Sequence, residues 1–246
     1  MKSCRKNIRS LAVLICLGGA LAAFPQNPVW AQTLPPDVGL VTQLSGNATY
    51  WNESYQKTPE KVQVFMKVRK GDHFKVSGGS VVQLVYFENS RKETWKGPAA
   101  FVVGQTQSQA QVEKGFQAQP EVTTLPAEAS QGIRRIPALL RQARLSRLGA
   151  MQVRGAGESP RKPFVPTKEE RAEIAMAKES YQRLRKQTPP DDITPELNLL
   201  GVLADYEQFE EMEKVLKDAL KIQPNNEVLK ELDEWVRVQR TKSTTK

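Results

Sequence analysis

The 246-residue chain carries 36 Lys and Arg against 27 Asp and Glu, a net charge of +9, with one histidine and two cysteines. Without its first 31 residues the chain would keep one imidazole and no thiol, too few for a zinc site built on His and Cys. Both cysteines, Cys4 and Cys16, lie near the start, so a chain trimmed of that segment forms no disulfide, and the remaining length suffices for two modest domains, each burying its own core.

Residues 1–31 read as a secretory signal. Lys2, Arg5, Lys6 and Arg9 form a basic start, Leu11 to Phe24 is an apolar run, and Val29 and Ala31 stand at the cleavage positions, so cleavage is expected after Ala31. The apolar run falls short of the roughly 20 residues of a membrane span, and Ile15 before Cys16 does not suit lipid attachment. Nothing later is apolar enough to span. The expected product is periplasmic, without a transmembrane span, and nucleic acid is not an expected partner. Asn47-Ala48-Thr49 and Asn52-Glu53-Ser54 match the N-glycosylation pattern, which matters only in a eukaryotic secretory route. Loss of the signal lowers the charge to +5, while residues 132–164, with seven Arg and one Lys against Glu158, hold more than all of it. The basicity therefore belongs to a connector, and the regions flanking it are slightly acidic.

From about Leu40 to Phe116 the chain is rich in Val, Phe, Thr and Tyr and punctuated by Gly and Asn, the pattern of several short strands. LVTQLSGNATYW supplies two strands around Gly46, VQVFMKV a third and HFKV a fourth. SVVQLVYF is the most apolar and reads as the central strand; after the turn ENSRK come ETW, PAAFVV and QAQVEKGF. An antiparallel β-sandwich or roll over residues 36–118 follows.

These residues resemble the FecR-type extracytoplasmic domain. The resemblance rests on Gly39-Leu40-Val41 through Gly46, on Gly71-Asp72-His73-Phe74-Lys75-Val76, on the apolar strand from Gly79 to Phe87, and on Gly97-Pro98-Ala99. It covers about a third of the chain. Glu88-Asn89-Ser90 departs from the family's usual Asp-Gly turn, and the family's adjacent membrane span is missing.

Residues 119–166 read as a Pro- and Arg-rich linker that can turn helical from Pro137. Projected on a helix, Leu139, Leu140, Leu145 and Leu148 scatter among arginines, which does not favour an amphipathic membrane helix. Arg134, Arg135, Arg141, Arg144, Arg147 and Arg154 occur with no Lys or acid among them. They form either an anion-binding element gripping phosphates or carboxylates, or a linker kept soluble by charge.

Residues 167–242 switch to a helical pattern. KEERAEIAMAKESYQRLRKQ puts Ala177, Tyr181 and Leu184 on one face and ends before Pro189-Pro190. TPELNLLGVLADY follows, with Thr194 expected as N-cap before Pro195, then FEEMEKVLKDALKIQPNN and EVLKELDEWVRVQRTK. The spacing resembles the tetratricopeptide repeat over 193–226, through Leu199, Leu203, Phe209, Met212, Leu216, Ala219 and Pro224. Leu200 stands where that family prefers Gly, with Gly201 one place later. The resemblance implies a concave groove lined from the first helix of each hairpin, here by Asn198 and Asp205.

Chemistry finds little support. His73 and Asp72 are neighbours on a strand and point to opposite faces, which rules out a direct dyad; His73 and Lys75 are expected to face water, and Phe74 and Val76 the core. The carboxylates of FEEMEK and ELDEW sit among lysines at helical spacing and read as solvated faces. Ser77-Gly78-Gly79-Ser80 lacks the context of a nucleophile elbow or phosphate loop. The resemblances imply a non-enzymatic envelope adaptor, scaffold or sensor that binds envelope or periplasmic proteins, with no cofactor or metal. The alternative is a binder of anionic lipid or polysaccharide through residues 134–154.

Overall fold

The structure, a computed structural model, describes residues 34–111, 119–152 and 164–244; the secretory-signal reading and Arg154 lie outside them. Ten strands come first: β1 (Asp37–Ser45), β2 (Ala48–Asn52), β3 (Gln56–Lys61), β4 (Lys67–Arg69), β5 (His73–Val76), β6 (Val81–Tyr86), β7 (Arg91–Lys96), β8 (Ala99–Val103), β9 (Ser108–Ala110) and β10 (Glu121–Thr124). Five helices follow: α1 (Ala127–Gln152), α2 (Lys168–Gln187), α3 (Thr194–Asp205), α4 (Phe209–Ile222) and α5 (Glu227–Thr244). All strand pairs are antiparallel, in two five-stranded sheets ordered β10-β7-β6-β1-β4 and β3-β2-β5-β8-β9. The β-then-α order expected from the sequence is what the chain forms.

The two sheets close on each other. Val41, Val82, Leu84, Tyr86 and Trp95 from the first meet Phe74, Val76, Phe101 and Val103 from the second. At the centre Trp95 stacks on Phe101 with centroids 4.2 Å apart, and Phe101 on Phe74 at 5.0 Å. Such ring pairs add about 0.5–1.5 kcal/mol each beyond the area they bury.

β6 is central, as its composition predicts, and its near-continuous apolarity has a specific cause. Alternation sends Val82, Leu84 and Tyr86 into the sandwich, while Val85 joins Leu40, Phe65 and Phe87 under the helices. A strand covered on both faces has no side to give to water. The expectation that each region buries its own core therefore changes: the helical core includes four side chains from the β-region.

Two strands differ from expectation. VQVFMKV does not form one strand: β3 ends at Lys61, and residues 62–66 cross to β4. Val62 packs in the sandwich and Phe65 under the helices, so these apolar residues serve opposite sides of one sheet. Phe65 takes φ 64°, in the left-handed region, held by its N–H to Val41 O at 2.8 Å and by Val41 N–H to Met66 O at 3.0 Å. β3 itself, QKTPEK, is almost wholly exposed; it is an edge strand and gives no apolar signal.

Where a linker with helix from Pro137 was expected, the chain forms β10 and one 26-residue helix, α1. Its buried stripe runs Ala129, Ile133, Ile136, Leu140 and Ala143, a spacing of four, three, four and three that begins well before Pro137. The leucine projection missed it because alanine and isoleucine carry four of the five positions, whereas Leu145 is exposed.

Candidate functional site

The helical layer meets the outer face of the first sheet through a buried polar seam. Lys92 Nζ of β7 lies 2.5 Å from Asp192 Oδ2, in the loop before α3, and the two side chains are 7% and 3% exposed. Asp192 Oδ1 accepts from the N–H and the hydroxyl of Thr194 and from Gln83 Nε2 of β6 at 3.1 Å. Gln83 also donates to Thr42 Oγ1 and Thr194 Oγ1 and accepts from Thr94. Burial pushes the Asp192 carboxyl up, but the Lys92 ammonium and the bonds from Lys92 and Thr194 outweigh it and hold the group below the ordinary carboxylate range. Thr194 is not the N-cap expected for α3: Ile193 holds that place without a side-chain bond, and Asp192 takes the Thr194 N–H. Gln83, the one polar residue in an apolar strand, was the sequence signal for this seam.

Of the expected groove residues, Asn198 meets α1 instead of open solvent, whereas Asp205 is exposed. Asn198 is 1% exposed, and with its amide nitrogen turned towards α1 it donates to Glu128 O and Ala129 O at 3.1 and 3.3 Å. It therefore cannot line an open groove. Asp205 accepts from Arg135 Nε at 3.0 Å. Beside Asn198 the backbones of α1 and α3 touch: a Cβ at Gly201 would fall 1.9 Å from the carbonyl oxygen of Gly132. The Gly displaced by one place from the repeat pattern fits this crossing.

The arginines are mostly spent inside the chain. Arg134 donates to Phe87 O and lies over the Phe87 ring. Arg135 reaches Glu173 as well as Asp205, and Arg147 binds Glu231 and Glu234 of α5 at 2.7 and 3.0 Å. Arg144 is 3.9 Å from Glu231, and among the described residues Arg141 has no carboxylate partner. These two border an open groove of about 390 Å³ between the 62–66 crossing and α1. Val64, Phe65 and Met66 form one wall, Leu140 and Leu145 the other, and Lys67 stands on the rim.

Asp72 and His73 divide as their neighbouring positions require. Asp72 is fully buried and accepts from Asn52 Nδ2, Tyr55 OH and the Arg69 N–H at 2.8, 2.6 and 2.8 Å, closing the turn before β5. Half-buried His73 faces the other way, stacked on Trp51 at 5.0 Å with Gln111 at 3.2 Å from Nδ1, so it is partnered where simple solvation was expected. Two other buried carboxylates are closed in the same manner, Glu93 by Arg91, Trp95 and the Ser108 N–H, and Glu196 by Arg185 and Tyr181. Among the described residues no group of three or more His, Cys, Asp or Glu could hold a metal, and no helix is long and apolar enough to cross a membrane. Comparison with family models, curated proteins and solved structures gave no significant match.

Proposed function

We propose that this protein is a non-enzymatic, exported adaptor or sensor of the bacterial cell envelope, holding two surfaces at fixed geometry for envelope or periplasmic proteins. The observation that carries the reading is the Lys92–Asp192 seam, which joins a β-sandwich and a helical layer through buried groups. The FecR-type resemblance of residues 39–99 and the tetratricopeptide-like spacing of 193–226 support it, since both families are built for binding. Burial of Leu199, Leu203, Met212, Leu216 and Ala219 agrees with that spacing.

One part of the expectation is revised. With α1 against α3, Asn198 is covered by the chain itself, while Asp205 is exposed and paired with Arg135. The anionic lipid or polysaccharide alternative is weakened, because Arg135 and Arg147 are neutralised by carboxylates and Arg134 is turned onto Phe87.

The test is affinity capture with the tagged protein from the envelope fraction of its own cells. A defined membrane or secretion complex is the expected result. Recovery of anionic glycan or lipid alone, in a salt-sensitive manner, overturns the adaptor reading in favour of the surface binder.

A further inference from the structure

The groove between the 62–66 crossing and α1 combines features that the fold itself does not use. Its floor is built in advance: the left-handed Phe65 and the paired bonds between Val41 and residues 65 and 66 fix the backbone of one wall. Its other wall is formed by α1, on which Leu145 is 60% exposed five residues beyond buried Leu140. Arg141 and Arg144 stand on that helix at a spacing of three, which places their Cβ atoms about 5–6 Å apart. Arg141 lacks a carboxylate partner among the described residues, and Arg144 has only the long contact to Glu231.

We propose that this groove docks an acidic, amphipathic segment of a partner protein: an apolar side chain between Met66 and Leu145, and two carboxylates on Arg141 and Arg144. Charge complementarity selects the occupant. An apolar slot beside two guanidinium groups suits a discrete peptide whose acids flank a hydrophobic residue, since each guanidinium can take one carboxylate bidentately. A sheet of anionic headgroups fits less well, because it would also press on Glu231 near Arg144, on Asp37 paired with Lys67 and on Glu234 paired with Arg147. The cavity is also of side-chain scale, at the lower end of the size of ligand clefts.

The inference rests on the adaptor reading and can fail separately from it. A library of random twelve-residue peptides is selected against the full chain and, in parallel, against Arg141→Glu/Arg144→Glu. The expected result is enrichment, on the wild-type chain only, of sequences with Asp or Glu flanking Leu, Ile, Phe or Met. An enriched synthetic peptide then binds with a Kd about ten-fold or more higher for the double variant, and about five-fold higher for Leu145→Ser. All three positions are exposed, so unchanged circular dichroism is expected. Enriched sequences without acids, equal enrichment on both chains, or no enrichment while the wild type alone captures phosphatidylglycerol vesicles overturns the proposal. If the charge-reversed chain recovers the same envelope complex as the wild type, the groove assignment falls and the adaptor reading stands. Peptide enrichment without recovery of any complex supports the groove and counts against the adaptor.

Discussion

One face of the sheet β10-β7-β6-β1-β4 sends Val82, Leu84, Tyr86 and Trp95 into a stacked aromatic core, whereas the other, beside apolar Leu40 and Val85, sends Gln83, Lys92 and Thr94 into a polar seam with the helical layer. The difference separates two tasks that burial performs. Dry packing contributes most per residue but tolerates more than one arrangement of shapes. A buried ion pair contributes little net stability once its desolvation is counted, yet it is satisfied in one register only. On this view the sandwich core supplies the stability, and the seam fixes where the helices sit.

The sharpest break of that comparison comes from the dry side. Trp95→Ala removes the centre of the aromatic stack and is expected to cost about 4 kcal/mol, read as a fall in the urea midpoint. On the polar side, Lys92→Ala leaves the Asp192 charge buried without its partner and is expected to cost about 3 kcal/mol. Replacing both partners by apolar residues, Lys92→Met with Asp192→Leu, removes both charges but leaves the buried Thr194 N–H without its acceptor, and should cost about 2 kcal/mol, less than Lys92→Ala alone. A double replacement as damaging as the single one would show that the seam is itself a main source of stability.

Gly201→Ala tests the joint between α1 and α3 and is expected to cost about 2 kcal/mol, because the new Cβ meets backbone that cannot rotate aside. Lowered pH should act on the seam more gently. The folded pKa of Asp192 is depressed, so its contribution is whole above the ordinary value of about 3.9 and is lost as the pH falls through the lower folded value. Glu196 has the opposite sign: burial raises its pKa, so it favours the fold below about 4.3 and that benefit is lost as the pH rises through the folded value. Urea midpoints measured from about pH 5 to pH 2 should therefore fall less steeply in the Lys92→Met/Asp192→Leu protein than in the wild type. The smallest effect is expected for His73→Ala, which should change Trp51 fluorescence while altering stability by about 1 kcal/mol or less.

The strands were legible where one local pattern decided them. β6 announced itself by composition, and the opposite orientations of Asp72 and His73 followed from strand alternation. What the sequence concealed was shared burial. The stripe of α1 depends on Ala129 and Ala143, which count as apolar only when another backbone approaches closely enough to make use of them. Residues 62–68 looked like a strand because they are apolar, but Val62 and Phe65 are apolar for different cores. Asp192 and Lys92 are 100 positions apart, and no local rule pairs them. The arginines were legible in the sequence but not their partners: Arg141 and Arg147 look alike there, and only the placement of α5 distinguishes them, since Arg147 meets Glu231 and Glu234.

β6 has a consequence for how the molecule yields. It is paired along both edges, by β1 and β7, and roofed on both faces, so its amides exchange with solvent only when the whole structure opens. A load applied to the helices is passed through Asp192 and Gln83 onto that strand.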